Sequence, residues 1–187
     1  MRVGILALQG DVSEHERALL RSGAQTFRIR RPADLAQVDG IVLPGGESTT
    51  IGLLLDESGL LPVLRDHVAS GRPTWGTCAG VILLADSVVG GRSLIGGLDI
   101  TVERNAFGRQ VHSFEADLRL SALGPPPLRA VFIRAPVVVS AGPSVEVLAR
   151  IDPGGIVAVR SGRVLGTVFH PELTDDSRLV ELFLASF

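Results

Sequence analysis

The single cysteine of this chain, Cys78, lies in Gly76-Thr77-Cys78-Ala79-Gly80, between a short predicted strand and a predicted helix. This pattern has the form of a nucleophile elbow, a sharp turn whose small neighbours let the backbone fold tightly. The following helix would point its positive end at the sulfur, which favours the thiolate, and the Ala79 amide would face a developing oxyanion. A lone cysteine is more often a small buried hydrophobic residue. Here the flanking glycines and the strand–turn–helix context favour a nucleophile.

The base that such a cysteine needs is predicted in Val168-Phe169-His170-Pro171-Glu172. Residues two apart in an extended segment point to the same side, so His170 and Glu172 are aligned, and Pro171 stiffens the link. Glu172 would then orient His170, which completes a Cys–His–Glu triad. The alternative interpretation is a surface histidine beside a surface glutamate.

Three further histidines compete for the role of base. His15 and His67 lie in helix-like stretches that are dense in charge, so we expect both to be solvated. His112 lies in a loop-like stretch and is the alternative base.

A glycine-rich segment, Leu43-Pro44-Gly45-Gly46-Glu47-Ser48-Thr49-Thr50, follows a predicted strand and precedes helix-like residues. Adjacent glycines let backbone N–H groups approach a ligand closely. The alternative is an ordinary strand-to-helix turn capped by Ser48 or Thr49.

The composition excludes several kinds of chemistry. All 18 basic residues are arginine, so the chain can form neither a lysine Schiff base nor a Walker A loop. One cysteine permits no intrachain disulfide and no cysteine zinc cluster, which indicates a cytoplasmic protein. A net charge of -2 offers no basic footprint for nucleic acid, and the apolar runs are too short to span a membrane.

The elements that must position these residues alternate between strands and helices. Apolar strands are predicted from Val3 to Leu8, Gln25 to Ile29, Gly40 to Leu43 and Pro73 to Gly76. Helices are predicted from Asp11, which with Glu14 resembles a capping box, from Leu60 to Ser70, from Ala79 to Ala85 and from Ser177 to Phe187. Six shorter strand-like pieces, partly antiparallel, follow Gly90, at 98–102, 114–120, 128–133, 145–151, 156–160 and 164–169. We therefore predict one three-layer α/β domain over residues 1–187, with a mostly parallel central sheet and helices on both faces.

Taken together, the segments resemble the class I, triad-type glutamine amidotransferases, and among them the glutaminase subunit family of pyridoxal 5′-phosphate synthase. The residues that carry the resemblance are Leu8–Gly10, Leu43–Thr50, Gly76–Gly80, Val102–Gln110, Phe132–Pro136 and Phe169–Thr174. They run through the whole chain in order. The resemblance implies a class I glutamine amidotransferase-like, flavodoxin-like fold, with no metal or other cofactor.

The resemblance also implies roles for individual residues. Cys78 would be the nucleophile, with His170 and Glu172 completing the triad, and the amides of Gly46 and Ala79 would form the oxyanion hole. Glutamine would be bound by Gly46, Glu47, Ser48, Arg104, Ile133 and Arg134. The Gln9-Gly10 turn resembles the family segment that rearranges when the partner docks. An arginine suits a substrate carboxylate because its planar fork binds bidentately.

The expected reaction is hydrolysis of L-glutamine to L-glutamate and ammonia. Because assembly of pyridoxal phosphate needs imine chemistry that a chain without lysine cannot perform, a separate synthase subunit is the implied partner. One rival interpretation is a glutaminase for another pathway, such as histidine or purine synthesis, against which Glu103–Gln110 and Ile133–Pro136 argue. The other is a non-catalytic module on the same fold.

Overall fold

The computed structural model describes residues 1–104, 113–152 and 155–187. Its described part contains twelve strands: β1 Arg2–Leu6, β2 Gln25–Ile29, β3 Gly40–Leu43, β4 Thr74–Thr77, β5 Ala85–Val88, β6 Leu98–Glu103, β7 Ser113–Leu118, β8 Leu128–Ile133, β9 Val137–Ala141, β10 Glu146–Ile151, β11 Gly155–Ser161 and β12 Val164–Thr167. The helices there are α1 Val12–Arg21, α2 Ser48–Ser58, α3 Leu60–Ala69, α4 Ala79–Leu84 and α5 Arg178–Leu184, with short 3-10 helices at Pro32–Gln37 and Pro171–Leu173.

Ten strands form one mixed sheet. Its first half, in the order β2-β1-β3-β4-β12, is parallel throughout. The second half continues through β11, β9 and β6 with antiparallel pairs, and β10 joins β11. Strand β5 closes the edge in parallel with β6, while β7 and β8 form a separate antiparallel pair.

The burial of the strands explains this division. Strands β3, β4 and β12 are buried at every position, as expected for parallel strands covered on both faces. Strands β6 and β8 alternate between buried and more accessible positions, which is typical of strands with one solvated face. The three-layer α/β class predicted from the sequence is confirmed.

The predicted elements match the structure closely in the first half of the chain. Strands β2 and β3 have the predicted bounds, and α3 ends one residue early. Two strands, β5 and β9, were not predicted. Two residues of β5 are exposed, and β9 exposes 48% of Val139, so neither has the burial pattern of a core strand. No helix in the three described ranges is long and apolar enough to cross a membrane.

The parallel half of the sheet determines where the functional segments meet. Strands β1, β3, β4 and β12 are neighbours. The Gln9-Gly10 turn follows β1, the glycine-rich segment follows β3, Cys78 follows β4 and His170 follows β12. Because the carboxyl ends of parallel strands lie at one edge, these four segments come together there, as is usual for ligand sites in such sheets.

Candidate active site

Cys78 occupies a strained turn between β4 and α4. Its backbone has φ 47° and ψ -104°, a conformation that residues with a Cβ rarely adopt. Its N–H donates to the Thr167 carbonyl at 2.8 Å. The glycines beside it are required by close packing. A Cβ on Gly80 would lie 2.0 Å from the Leu43 carbonyl oxygen, and one on Gly76 would lie 2.6 Å from the Gly80 backbone.

His170 and Glu172 form a buried pair. The Nδ1 of His170 lies 2.7 Å from Oε1 of Glu172, whose side chain is fully buried, and the Cys78 side chain is among the groups that raise the pKa of His170. The backbone N–H of His170 donates to the Val131 carbonyl at 2.8 Å, which ties the segment to β8. The extended conformation predicted for Glu172 is wrong. Residues Pro171–Leu173 form a 3-10 helix, with proline at its first position, where a missing N–H costs nothing.

Asp11 is a further carboxylate beside His170. Its predicted capping-box role is wrong, because its side chain makes no cap hydrogen bond to α1. Instead, Oδ2 of Asp11 lies 3.3 Å from Nδ1 of His170. Asp11 is therefore a second acceptor for the Nδ1 proton, beside the nearer Glu172. The contact with His170 in turn lowers the pKa of Asp11.

These contacts determine the charge of His170. Burial opposes a charge on the ring, but hydrogen bonds with Asp11, Cys78 and Glu172 outweigh it and raise the pKa of His170 to about 12. The ring of His170 is therefore protonated. Asp11, His170 and Glu172 each have an atom that could bind a metal ion, and these atoms lie within 4.8 Å of one another. The hydrogen bonds and charges among the three side chains account for that spacing.

His15 and His67 are not solvated, contrary to the prediction. Their exposed fractions are 1% and 4%. His15 lies on the buried face of α1 with Ala18 and Leu19, at helical spacings of three and four, and this periodicity is the signal that could have placed it inside. His112, the alternative base, lies outside the described residues, as do residues 105–110 of the family-like segment.

The glycine-rich segment packs on the Gln9-Gly10 turn. The Glu47 N–H donates to the side-chain oxygen of Gln9 at 2.7 Å, and the Asp11 N–H donates to the Gly45 carbonyl at 3.2 Å. A Cβ on Gly10 would lie 1.8 Å from that carbonyl oxygen, and one on Gly46 would lie 2.5 Å from the Gln9 oxygen. At Gly10, where the close atom belongs to the backbone and φ is 110°, only glycine permits this approach.

Helix α2 is capped by Glu47 rather than by Ser48 or Thr49. The Glu47 carboxylate accepts from the Thr50 N–H at 2.8 Å and from its hydroxyl at 3.1 Å. These hydrogen bonds lower the pKa of Glu47, and the bond from the Thr50 N–H has the largest effect. Because Glu47 serves as the cap, its carboxylate is committed to the local backbone, while its neighbour Ser48 is buried.

The remaining predicted substrate residues lie in two places. Arg104 follows β6, and its Nη1 donates to the Thr49 hydroxyl at 3.3 Å. Ile133 ends β8, and its carbonyl oxygen lies 3.9 Å from Sγ of Cys78, within reach of a weak S–H hydrogen bond. Arg134 follows with φ 45°, a second strained residue beside the cysteine.

Two cavities bear on these assignments. One of about 260 Å³ is lined by Ser48, Thr49 and Arg104 among others. A larger one of about 830 Å³ has Leu120, Pro127 and Leu148 in its wall and contains none of the predicted site residues. Neither cavity has Cys78 or His170 in its wall, so the cavities alone do not identify the site.

A cysteine on a strained strand-to-helix turn, a buried His–Glu pair and a mixed α/β sheet whose parallel half carries them together define a class I glutamine amidotransferase. The chain matches the SNO glutamine amidotransferase family over residues 5–187. It belongs to that family.

Individual relatives agree with this assignment. The pyridoxal 5′-phosphate synthase subunit PdxT of Frankia casuarinae is 60% identical over 99% of this chain and 94% of its own length. The PdxT subunit of Frankia alni is 61% identical over 98% of this chain and 93% of its own length. A crystal structure of a glutamine amidotransferase superposes with a TM-score of 0.92 at 49% identity, covering 98% of this chain and 97% of the other.

Proposed function

We propose that this chain hydrolyses the side-chain amide of L-glutamine with Cys78, His170 and Glu172, and passes the ammonia to the synthase subunit of pyridoxal 5′-phosphate synthase. The observation that carries the proposal is the buried pair His170–Glu172, joined at 2.7 Å, with Cys78 on its strained turn among the groups that raise the pKa of His170. The names of the PdxT relatives support the pathway.

The reaction follows from the charges at the site. The Cys78 thiolate attacks the amide carbon, and the oxyanion that forms is held by backbone N–H groups. The His170 imidazolium donates its proton to the departing nitrogen, so ammonia leaves and a glutamyl thioester remains. Neutral His170 then takes a proton from water, the hydroxide attacks the thioester, and glutamate is released as the thiolate re-forms. Glu172 holds the ring orientation and stabilises each imidazolium.

The oxyanion donors in this proposal are the amides of Gly46 and Ala79. Ala79 is the first residue of α4, directly after Cys78, and Gly46 lies in the segment that packs on the Gln9-Gly10 turn. A movement of that turn would shift Gly46, which provides a physical route by which a docking partner could adjust the oxyanion hole. One oxyanion donor is typically worth about 10²–10³ in rate.

The glutamine-binding residues of this proposal are Gly46, Glu47, Ser48, Arg104, Ile133 and Arg134. Their support is positional. Ser48 and Arg104 line one cavity, and the Ile133 carbonyl lies 3.9 Å from Sγ of Cys78, with Arg134 the next residue in the chain. The Glu47 side chain caps α2, so we assign its part in binding to the backbone.

The partner and the location complete the proposal. A chain without lysine cannot form the imines that pyridoxal phosphate assembly requires, so the synthase subunit must perform that chemistry. Ammonia must reach it by a sheltered route, because protonation in bulk water removes its nucleophilicity. The single cysteine supports a cytoplasmic location, and the net charge of -2 supports the absence of a nucleic-acid partner.

The test is glutamate release from L-glutamine, measured with and without the synthase subunit. We expect low activity for the chain alone, a large rise with the subunit, and no release by Cys78→Ala in either condition. Labelling of the thiol by a glutamine-like electrophile, competed by glutamine, separates an enzyme from a non-catalytic module. Retained activity in Cys78→Ala, or equal activity with and without the subunit, would contradict the proposal.

A further inference from the structure

One buried polar residue near the triad has no part in the reaction above. His15, on α1, is 1% exposed, and its ring meets that of Trp75 edge-on with centroids 5.8 Å apart. A fully buried imidazole needs hydrogen-bond partners, since an unpaired polar group in an apolar interior is costly. Its contacts therefore indicate what the residue does.

The far oxygen of Glu172 explains why His15 is there. Oε1 of Glu172 accepts from His170, whereas Oε2 makes no hydrogen bond within the described part of the chain. The ring nitrogen facing Oε2 is Nε2 of His15, which lies 3.5 Å away. A buried carboxylate is stable only when both oxygens face donors or positive charge. His15 is placed to supply this at the second oxygen.

The tautomer of His15 follows from the same contacts. Nε2 lies 2.9 Å from the hydroxyl of Thr77, whereas Nδ1 is a buried atom without a hydrogen bond to any described residue. An orphaned buried N–H is rarer than an orphaned acceptor. The proton is therefore assigned to Nε2, from which it faces both the Thr77 hydroxyl and Oε2 of Glu172. Burial lowers the pKa of His15, so the ring is neutral and serves as a donor.

Thr77 connects His15 to the glycine-rich segment. The Gly45 N–H donates to the Thr77 hydroxyl at 3.1 Å, so that oxygen accepts from Gly45 while facing His15. Gly45 in turn lies against His170, where an added Cβ would come within 2.6 Å of Cε1. His15 thus lies next to the triad. It contacts Glu172, whose carboxylate orients His170, and Thr77, the residue before Cys78.

We propose that His15 is a positioning residue, whose Nε2–H, hydrogen-bonded to Thr77, faces Oε2 of the Glu172 carboxylate and so fixes the orientation of His170 toward Cys78. The proposal deepens the function proposed above and rests on the triad assigned there. His15 does not touch the substrate. Its removal should therefore lower kcat and leave KM for glutamine nearly unchanged.

Three substitutions separate positioning from packing. His15→Phe keeps the ring volume and the contact with Trp75 but removes the donor. His15→Gln places an amide N–H near the position of Nε2, and His15→Asn places one near that of Nδ1. We expect kcat to fall roughly 10- to 100-fold in His15→Phe and in His15→Asn, the loss expected for a misplaced catalytic group. His15→Gln should recover most of it.

The controls use the other buried helix histidine and the nucleophile. His67 contacts the Pro73 carbonyl, at the opposite end of β4 from Cys78, so His67→Phe and His67→Gln should leave kcat unchanged. All variants are measured with the synthase subunit, beside wild type and Cys78→Ala. Wild-type activity that is absent, or equal to that of Cys78→Ala, contradicts the proposed function itself.

With wild type active, either of two results overturns the role of His15. One is His15→Phe as active as wild type. The other is that His15→Gln is no more active than His15→Asn. This comparison remains valid even when His15→Phe does not fold. A change confined to KM would also contradict positioning, since it would place His15 in substrate binding.

Discussion

The strained backbone at Cys78 makes a quantitative prediction about stability. Its φ of 47° and ψ of -104° lie where a Cβ is disfavoured, and such a residue costs on the order of 1–3 kcal/mol. Glycine escapes this cost. Changing alanine to glycine at an ordinary position instead destabilises a protein by roughly 0.5–1 kcal/mol, because glycine loses more conformational entropy on folding.

A matched comparison isolates the strain. Position 78 is measured as Cys78→Ala and Cys78→Gly, which both lack the sulfur. Ala18 lies inside α1 with normal helical backbone. It is 5% exposed, close to the 7% of Cys78. Ala18→Gly therefore measures the conformational entropy and the buried methyl group that the step from alanine to glycine also loses at position 78. The step from alanine to glycine should be about 1–3 kcal/mol more favourable at 78 than at 18.

The assay is urea unfolding, analysed for the free energy of unfolding and the slope of each variant. For a domain of this size a difference of 1 kcal/mol corresponds to a melting-temperature shift of about 2–4 °C, so thermal unfolding is an independent check. Equal alanine-to-glycine steps at the two positions would refute the inference that the elbow is strained.

Two further predictions concern His170. Since its pKa is raised from 6.5 to about 12, the stabilisation from its proton is complete below pH 6.5 and is lost as the pH rises toward 12. The free energy of unfolding of wild type, measured in urea, should therefore exceed that of His170→Gln by less at about pH 10 than at about pH 7. A difference that grows with pH would show that the ring is neutral. Gly45→Ala places a Cβ 2.6 Å from Cε1 of His170 and 2.8 Å from Oδ2 of Asp11, so kcat for glutamate release should fall about 100-fold; unchanged kcat would contradict this packing.

The triad candidates could be found from local sequence because their signals are local. Cys78 stands between glycines in a strand–turn–helix pattern, and His170 is two residues from Glu172, so short windows of sequence contain the relevant spacing. The hydrogen bond at 2.7 Å shows that this spacing brings the two side chains together, although through a 3-10 helix rather than the extended chain we predicted.

Asp11 and His15 could not be assigned in the same way. The charged neighbours of His15 indicate a solvated helix, and only its spacing to Ala18 and Leu19 points inward. Its partner Thr77 is 62 positions away, and no local pattern links the two. Asp11 has the residue type and position of a helix cap, so its contact with His170 becomes visible only when α1 is packed against the sheet.

The sequence by itself determined the apolar runs, the glycines at tight turns and the absence of lysine, and these suffice for the fold class and for the chemistry that the chain cannot perform. Tertiary structure decided which distant segments meet. Strands β1, β3, β4 and β12 pair in parallel, so their carboxyl ends share one edge, and that edge brings Cys78 to His170 and places His15 behind Glu172. Such pairings depend on packing between residues far apart in the chain, which no short stretch of sequence encodes.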